Sequence, residues 1–531
     1  MALALDQLPD DVETLKRLLR ERDAEVAQRR VELATQRAEA LVARLMIEKL
    51  KLEIARLRRM QFGRRSERHD ERVAQLELLV EEIETTLAAA PATTIPAAST
   101  STPGASTTAP VRRPLPPHLP RENQLHSAPC TCPDCGGALK PIGEDVSEQL
   151  EFIPEHFKVI RHVRPKFACA TCSTLVQAPA PTRPIDKGVA GPGLLAHVAV
   201  SKYLDHLPLY RQSEIYARQG IDLDRSTLAD WIGGIARAVT PLAELIGRYV
   251  VSAAKLHADD TPVPVLDPGR GKIKTGRLWV YVRDDRPAGS SEPPAAFYRY
   301  TPTREGAHPR AHLQDFRGTL QADGFSGFDG LYVDGRVHEA ACWAHARRKF
   351  YDLHVATKSP LAEAALKRIK LLYEIEEAIR GKPPDERRRV RRAHAGPLLD
   401  ELKAWLQATL ATLSAKSALA GAINYSLKRW QALTRYCDDG AIEIDNNAAE
   451  RALRGPVLSR KNFLFAGADS GGERAAALYT LLQTAKLNGL NPEAYLCFVL
   501  ERIADHSNNR LAELLPWSFA RQLAENQRLA A

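Results

Sequence analysis

Apolar residues recur every seven positions over residues 10–60, a stretch that is rich in charge and poor in Gly and Pro. Counted as position a of each heptad, they are Val12, Leu19, Val26, Leu33, Ala40, Ile47 and Ile54. The d positions are apolar at both ends of the stretch and polar in its middle. This pattern predicts a coiled coil with a weak centre, and β-branched residues at a favour a parallel dimer. The alternative is one amphipathic helix folded onto its own domain.

Residues 183–250 have a helical pattern of apolar positions. Within them, residues 210–231 predict a helix that ends near Gly220, a short turn, and a second helix capped by Ser226. This order is typical of a DNA-binding helix-turn-helix, which would present Arg211 and Arg225 to DNA. A plain helical hairpin without DNA contact is the alternative.

The period of the apolar positions changes to two at Ala253. Candidate strands follow at 253–266, 277–283, 296–300 and 319–322. Residues 337–353 and the long tract 358–437 then predict helices. The long tract contains R-R-R-V-R-R at 387–392, which is either a solvated face or a surface for phosphate contacts.

A further helix is predicted within residues 441–453, which read A-I-E-I-D-N-N-A-A-E-R-A-L. Asp445 is a suitable N-cap because its carboxylate can accept free N–H groups of the first turn. Asn446, Glu450 and Arg454 follow at intervals of four and therefore share one helix face. That face is either a solvated ion-pair strip or part of a charged site.

Size and charge limit the class of protein. A chain of 531 residues suggests roughly three or four domains. The formal charge of +9 suits a polyanionic partner, but also simple solubility. Neither a long apolar run nor a signal peptide is present in the sequence, so we expect a cytosolic protein without disulfides.

Four of the eight cysteines form two C-x-x-C pairs. Cys132 and Cys135 make the first pair, and Cys169 and Cys172 make the second. Each pair is a tight turn whose thiolates point to one centre, and two such turns complete a tetrahedral zinc shell. Because four sulfurs leave no open position, we predict one structural Zn²⁺ in a zinc ribbon.

Three acidic residues stand at positions that favour metal-ion chemistry. Asp259 follows the apolar part of the first candidate strand, Asp323 ends a later strand, and Glu450 lies on the last predicted helix. Three hairpin-linked strands, a fourth strand and a late helix with acids in this order predict a ribonuclease-H-like core. Carboxylates in such an arrangement suit two divalent ions that cleave or transfer a phosphodiester. Any one of these acids alone would more often be a surface or capping carboxylate.

Longer motifs surround the acids: H-A-D-D-T-P-V at 257–263, L-Q-A-D-G-F at 320–325, C-W-A-H-A-R-R-K-F at 342–350 and I-D-N-N-A-A-E-R-A-L-R at 444–454. Three more motifs follow, R-K-N-F-L-F-A-G at 460–467 and the segments 488–496 and 511–517. Together these motifs resemble the large transposase of the bacterial insertion sequence sixty-six family, a DDE transposase. The resemblance covers nearly the whole chain. The chain has D-D-T at 259–261 where that family usually has D-E-T, which exchanges one carboxylate for another.

The resemblance implies a function and the residues for it. Asp259, Asp323 and Glu450 would be the triad that binds two Mg²⁺ (or Mn²⁺) ions for DNA strand cleavage and transfer. Its partners would be DNA (the terminal inverted repeats and the target), one or more further copies of the chain, and accessory proteins of the same element. It would act in the cytoplasm, on the nucleoid. Basic residues expected to contact DNA phosphates near the glutamate are Arg347, Arg348, Lys349, Arg451, Arg454, Arg460 and Lys461.

Cys342 and His345 share a helix face and could bind a metal, but packing and local hydrogen bonding are the favoured interpretation. Two other functions stay open: a non-catalytic DNA-binding regulator, and a nuclease of the same fold without strand transfer.

The predicted fold class is an α/β ribonuclease-H-like catalytic core with an all-α insertion, preceded by a zinc ribbon, a helical DNA-binding region and an N-terminal coiled coil. A segment of Ala, Thr, Ser and Pro predicts a flexible linker after the coiled coil. The predicted limits are 1–87 for the coiled-coil region, 88–120 for the linker, 121–182 for the zinc domain, 183–250 for the helix-turn-helix region, 251–356 and 439–500 for the two parts of the core, 357–438 for the insertion and 501–531 for a helical tail.

Overall fold

The structure, a computed structural model, describes residues 115, 117, 119–126, 131–153, 156–186, 188–267 and 272–530. The predicted coiled coil at 10–60, most of the predicted linker and Cys130 lie outside these residues. The described residues form a four-stranded sheet, a five-stranded sheet and a set of helices. The domain limits predicted above stay predictions.

The four-stranded sheet is built around one long hairpin. Its strands are β1 (Arg121–Leu125), β2 (Leu139–Ile153), β3 (His156–Cys169) and β4 (Leu175–Gln177). β2 and β3 pair in antiparallel fashion from Leu139 with Cys169 at the open end of the hairpin, and β1 and β4 both pair with β3. The open end therefore brings the segment before β2 next to the segment after β3, and each of these segments contains a C-x-x-C turn.

Three helices follow: α1 (Pro192–Tyr203), α2 (Leu209–Arg218) and α3 (Arg225–Val251). α2 ends just before Gly220, whose φ of +76° is a left-handed conformation that glycine adopts without strain. The predicted cap of α3 is wrong by two residues, because Asp224 is the N-cap and its Oδ1 accepts from the Ser226 N–H at 2.7 Å. The predicted pair of helices is otherwise present.

The five-stranded sheet contains β5 (Lys255–Asp267), β6 (Lys272–Arg283), β7 (Ala295–Thr301), β8 (Gly318–Ala322) and β9 (Val337–Ala341). The order across the sheet is β7-β6-β5-β8-β9. β5, β6 and β7 are antiparallel neighbours, whereas β8 is parallel to β5 and β9 is parallel to β8. Two short helices, α4 (Ala307–His312) and α5 (Asp329–Tyr332), lie in the connections around β8.

The helix predicted at 337–353 is wrong in its first part. Val337–Ala341 form β9, and the helix α6 (Trp343–Thr357) begins only after it. The segment V-H-E-A-A contains the helix formers Glu and Ala, so its own propensity does not indicate a strand. The parallel edge of β8 decides its conformation, since all five residues of β9 pair with β8.

Helices after β9 enclose a second hydrophobic core. They are α6, α7 (Pro360–Ala378), α8 (Pro384–Val390), α9 (Gly396–Ala411), α10 (Ala418–Lys428) and α11 (Trp430–Thr434), with a π-helical turn at Arg391–Ala395. Trp343, Phe350, Ile369 and Leu402 are buried in this core. The helical character predicted for 358–437 is therefore confirmed.

The last helices return the chain to the five-stranded sheet. They are α12 (Asn447–Asn462), α13 (Asp469–Leu487), α14 (Pro492–Arg502) and α15 (Pro516–Ala530). α12 packs on β5 and β6, and α13 packs on β7 and α3. Among the described helices, none combines the length and the apolar character that a membrane span needs.

Candidate functional site

Asp259 and Asp323 come from neighbouring parallel strands. β5 pairs with β8, and His257 is the partner of Gln321. Because side chains alternate along a strand, Asp259 and Asp323, each two positions further on, come side by side on the same face. Asp323 is the first residue after β8 ends.

The turn after β8 is held by several contacts. The Oδ1 atom of Asp323 accepts from the Phe325 N–H at 3.0 Å, and the Tyr425 hydroxyl donates to the Asp323 carbonyl at 3.0 Å. Gly324 has a φ of +83°, and a Cβ atom there would meet the Arg429 side chain at 2.5 Å. The left-handed backbone conformation therefore favours glycine directly after Asp323, and any larger residue would also displace the Arg429 side chain.

Glu450 joins the two aspartates from the first turn of α12. Burial raises the pKa of Asp259 well above its usual value, and the charges of Asp323, Asp260 and Glu450 raise it further. The three predicted acids are thus close enough to interact through their charges. Their carboxylate oxygens do not, however, all lie within 4.8 Å of one another. A set of hard carboxylate oxygens whose repulsion a cation would relieve fits divalent metal ions.

Asp260 has a different environment from its neighbour. Its carboxylate accepts from Arg304 Nη2 at 2.9 Å and lies 3.3 Å from Arg277 Nη1, and only 2% of its side chain is exposed. These ion pairs of the buried carboxylate lie on the opposite side of β5 from Asp259, as strand alternation requires. Replacing Asp260 by Asn would weaken both ion pairs of this buried carboxylate, so we assign Asp260 a structural role.

Asn446 fixes the start of α12 to β5. The residue is fully buried, its Nδ2 atom donates to the Ala258 carbonyl at 2.9 Å, and its Oδ1 atom lies 3.1 Å from His257 Nδ1. Its backbone N–H donates to Cys342 Sγ at 3.2 Å. Asn446 is therefore not part of a solvated strip, and its contacts set the position of Glu450 one helical turn later.

The predicted N-cap of this helix is displaced by one residue. Asn446 is the N-cap, and Asp445 precedes it. Asp445 still accepts from the Asn447 N–H at 3.2 Å, which is the kind of contact predicted for it. Burial raises the pKa of Asp445 to about 6.

The four predicted zinc ligands come together at the open end of the β2–β3 hairpin. The Sγ atoms of Cys132, Cys135, Cys169 and Cys172 all lie within 4.8 Å of one another. Three of the sulfur pairs are 3.3–3.4 Å apart. A tetrahedral zinc with Zn–S bonds of about 2.3 Å needs sulfur pairs about 3.8 Å apart, so a small expansion admits the ion. The cluster supports a structural zinc.

Models of known families match this chain along most of its length. The model described as "Transposase IS66 family" matches residues 187–474. The chain belongs to the IS66 transposase family. Three further models match other parts of this family member: "zinc-finger binding domain of transposase IS66" at 129–173, "Transposase C of IS166 homeodomain" at 49–123 and "IS66 C-terminal element" at 480–517.

Similar proteins occur in Sinorhizobium fredii (strain NBRC 101917 / NGR234). The protein y4hP is 42% identical over 501 residues, which cover 91% of this chain and 90% of y4hP. The protein y4qI is 38% identical over 545 residues, which cover 98% of this chain and 99% of y4qI. The similarity therefore extends over zinc cluster, sheet and helices together.

Cys342 and His345 lie beside Glu450 in this IS66 family member. Their ligand atoms and those of Glu450 are within 4.8 Å of one another, and His345 Nδ1 is 3.6 Å from Glu450 Oε1. Burial raises the pKa of the Cys342 thiol, which opposes the thiolate that a metal would need. This thiol already accepts a hydrogen bond from Asn446, which agrees with local hydrogen bonding for Cys342, whereas the buried His345 Nδ1 atom makes no hydrogen bond in the described structure.

Two arginines of the basic run at 387–392 are buried, which neither interpretation of that run predicts. Arg387 donates to Glu443 Oε1 and to the Gly440 carbonyl, each at 2.8 Å. Arg391 donates to the Tyr436 carbonyl at 2.9 Å and pairs with Glu376 at 2.6 Å. These contacts tie α8 to the segment that leads into α12. The spacing of four between the two arginines could have indicated a shared inward face, but the neighbouring arginines obscure it.

The predicted DNA-contacting residues fall into two groups. Arg211 and Arg225 are exposed on α2 and at the start of α3. The others lie on α6 and α12, the helices that carry His345 and Glu450; of these Arg347, Lys349, Arg451 and Lys461 are exposed, and Arg348, Arg454 and Arg460 are half-buried. The second group therefore lies on the two helices next to the acids, with Arg460 and Lys461 at the far end of α12, and the first group lies on separate helices.

Proposed function

We propose that this IS66 family member is a DDE transposase that cleaves and transfers DNA strands at the ends of an insertion sequence. Membership of the family supports a transposase role. The observation that carries the catalytic proposal is the convergence of Asp259, Asp323 and Glu450, three carboxylates from two strands and a helix whose charges interact. Separate elements that deliver acidic oxygens to one place suit a site for divalent cations.

The three carboxylates would hold two Mg²⁺ or Mn²⁺ ions. When bound, such ions supply activation of an attacking oxygen and stabilisation of the leaving 3′-oxygen. The protein contributes the orientation of the acids through Asn446, the turn at Gly324 and the buried Arg387 of α8. Exposed cations on α6 and α12 would neutralise the DNA backbone and fix its position without reading sequence.

The sheet order supports a ribonuclease-H-like core as part of this proposal. Three antiparallel strands are followed by two parallel ones in the order β7-β6-β5-β8-β9. Asp259 lies on the central strand, Asp323 follows its parallel neighbour, and Glu450 lies on a helix packed on the same strand. This placement of the three acids on the strands and the helix supports the proposal.

Further parts of the proposal concern partners. The zinc domain and the α2–α3 pair would recognise the terminal inverted repeats, and residues 10–60 would join two or more copies of the chain. Accessory proteins of the same element would take part, and the protein would act in the cytoplasm on the nucleoid. The net charge of +9 supports a polyanionic partner.

Movement of a marked element in cells tests the proposed function. We expect Asp323→Asn and Glu450→Gln each to abolish transposition, because an amide removes charge and a metal-binding oxygen. Asp315→Asn and Glu377→Gln make the same chemical changes at exposed positions and should leave transposition at the wild-type level. DNA breaks without joining would favour a nuclease instead, and transposition by both acid variants would reject the catalytic assignment.

A further inference from the structure

A cavity of about 320 Å³ lies between the helices at 192–251 and the five-stranded sheet. Its walls come from α1, α3, the second half of β5, the end of α12, the start of α13 and the connection between those two helices. This volume is at the lower end of the range of about 300–1,000 Å³ that small-ligand pockets have. Neither the triad nor the zinc cluster contributes to it.

The cavity combines positive charge with aromatic rings. Lys202, Arg460 and Arg474 line it together with Phe463 and Phe465, and no Asp or Glu is among its described lining residues. Lys202 Nζ lies 4.1 Å from the centre of the Phe463 ring, which holds the ammonium group in place by a cation–π contact. An acid-free pocket of this composition suits an anion that also carries a flat ring.

Lys202 forms no ion pair within the described part of the chain, and burial lowers its pKa to about 8. A lysine that is desolvated without a counter-charge gains from a bound anion, because the anion favours the charged ammonium. A phosphate group next to Lys202 would supply that charge. Arg460, whose Nη1 also donates to the Pro262 carbonyl, lies on the same wall.

The aromatic side of the cavity opens to the surface. Phe465 lines the cavity and is 41% exposed, and the adjacent Leu464, which does not line it, is 69% exposed. The segment that carries them is fixed to the end of β5 by hydrogen bonds between Ala466 and both Pro264 and Leu266. A partly exposed aromatic ring on a segment anchored in this way has the properties of a stacking platform, which accepts a nucleic-acid base of any identity.

The cavity lies along α12 from the triad. Ten residues separate Glu450 from Arg460, so the two are about 15 Å apart at 1.5 Å per residue. One DNA strand rises about 3.4 Å per nucleotide, and this distance therefore corresponds to about four nucleotides. A strand whose scissile phosphate lies at the triad can reach the cavity.

We propose that this cavity binds an unpaired nucleotide of the DNA strand held at the triad, with its phosphate beside Lys202 and its base against Phe465. The inference rests on the proposed function, because it takes DNA as the ligand. It adds a site for single-stranded DNA next to the active site.

Equilibrium binding of two duplexes of arbitrary sequence tests the proposal with the full-length protein. One duplex is blunt and the other ends in a short tail of unpaired thymidines. We expect the wild type to bind the tailed duplex about tenfold more tightly, and Lys202→Met and Phe465→Ala to remove this preference while blunt-duplex affinity is retained. Lys367→Met and Leu464→Ala are matched controls at exposed positions outside the cavity and should keep the preference.

Other results would overturn the proposal. Equal loss of affinity for both duplexes in Lys202→Met would make Lys202 a general phosphate contact, and an unchanged preference in both cavity variants would place the tail elsewhere. Competition by thymidine 5′-monophosphate as strong as that of the tail would identify a free-nucleotide site. A wild type that cleaves DNA but shows no tail preference would reject the cavity alone, whereas a chain that binds no DNA would reject the proposed function too. Melting temperatures of the variants check that each one folds.

Discussion

At the scale of single residues, Asn446 shows how a polar side chain in the interior can serve a neighbouring site. The amide satisfies the Ala258 carbonyl and His257, and burial lowers the pKa of His257 to about 3, so the imidazole stays neutral in this contact. The spacing of four residues predicts that Asn446 and Glu450 share one helix face, but it does not show that this face turns toward the interior. Its partners on β5 lie nearly 190 residues earlier in the chain, and only the folded sheet brings them together.

Replacing Asn446 tests this positioning role. Asn446→Ala leaves buried groups without partners, so we expect the free energy of unfolding to fall by about 1–3 kcal/mol. We also expect slower strand cleavage with little loss of DNA binding, because Glu450 loses its fixed position. Chemical unfolding and single-turnover cleavage measure the two effects. Asn508→Ala, at an exposed position, is the control, and wild-type cleavage by Asn446→Ala would contradict the role.

At the scale of elements, features that depend on the local spacing of residues can be predicted from the sequence. Features that depend on a neighbouring strand or side chain are missed. The alternation at β5 and the C-x-x-C turns are local patterns, and both are found where predicted. β9 is missed because its residues favour a helix and only pairing with β8 makes it a strand. The buried Arg387 is missed because an arginine normally lies at the surface, whereas here Glu443 and the Gly440 carbonyl compensate its charge.

The zinc cluster allows a test at the same scale. The purified protein should contain about one zinc ion per chain. We expect Cys132→Ser to lower this content and to make the β2–β3 hairpin more sensitive to proteolysis, because its open end loses the metal crosslink. Elemental analysis and limited proteolysis are the measurements. Cys497→Ser, which changes a cysteine outside the cluster, should retain zinc. Full zinc content after loss of both Cys132 and Cys135 would contradict the assignment.

At the scale of the whole described region, two hydrophobic cores meet at the acids. Ala258, Ala322 and Ala449, which precede the three acids, belong to the core around the five-stranded sheet, whereas Ile442 and Ile444, before α12, belong to the helical core. Tyr425 of α10 bonds to the carbonyl of Asp323, and α8 ties down the segment before Glu450. We infer that the helical region between the second and third acids supports the geometry of the site. Sequence patterns showed that region as helical but not what it contacts.

Glu443 illustrates this dependence and guides the choice of controls. Its carboxylate accepts from the buried Arg387 at 2.8 Å, so an amide there would disturb the segment before α12. Glu443→Gln and Asp260→Asn, although they are neighbours of the triad in sequence, are therefore unsuitable as neutral controls. Exposed acids without ion pairs in the described structure, such as Asp315 and Glu377, serve that purpose.

The rate of DNA strand cleavage by the purified protein in Mg²⁺ tests the central claim most directly. The substrate is a duplex that carries the terminal repeat of the element, and binding is measured in parallel. We predict that Asp259→Asn lowers the rate by several orders of magnitude while binding stays nearly intact, and that combining it with Glu450→Gln adds little, because the acids act as one unit. Removal of Mg²⁺ should stop cleavage by the wild type, and Asp315→Asn should cleave normally. Cleavage by Asp259→Asn at a rate close to that of the wild type would contradict the account.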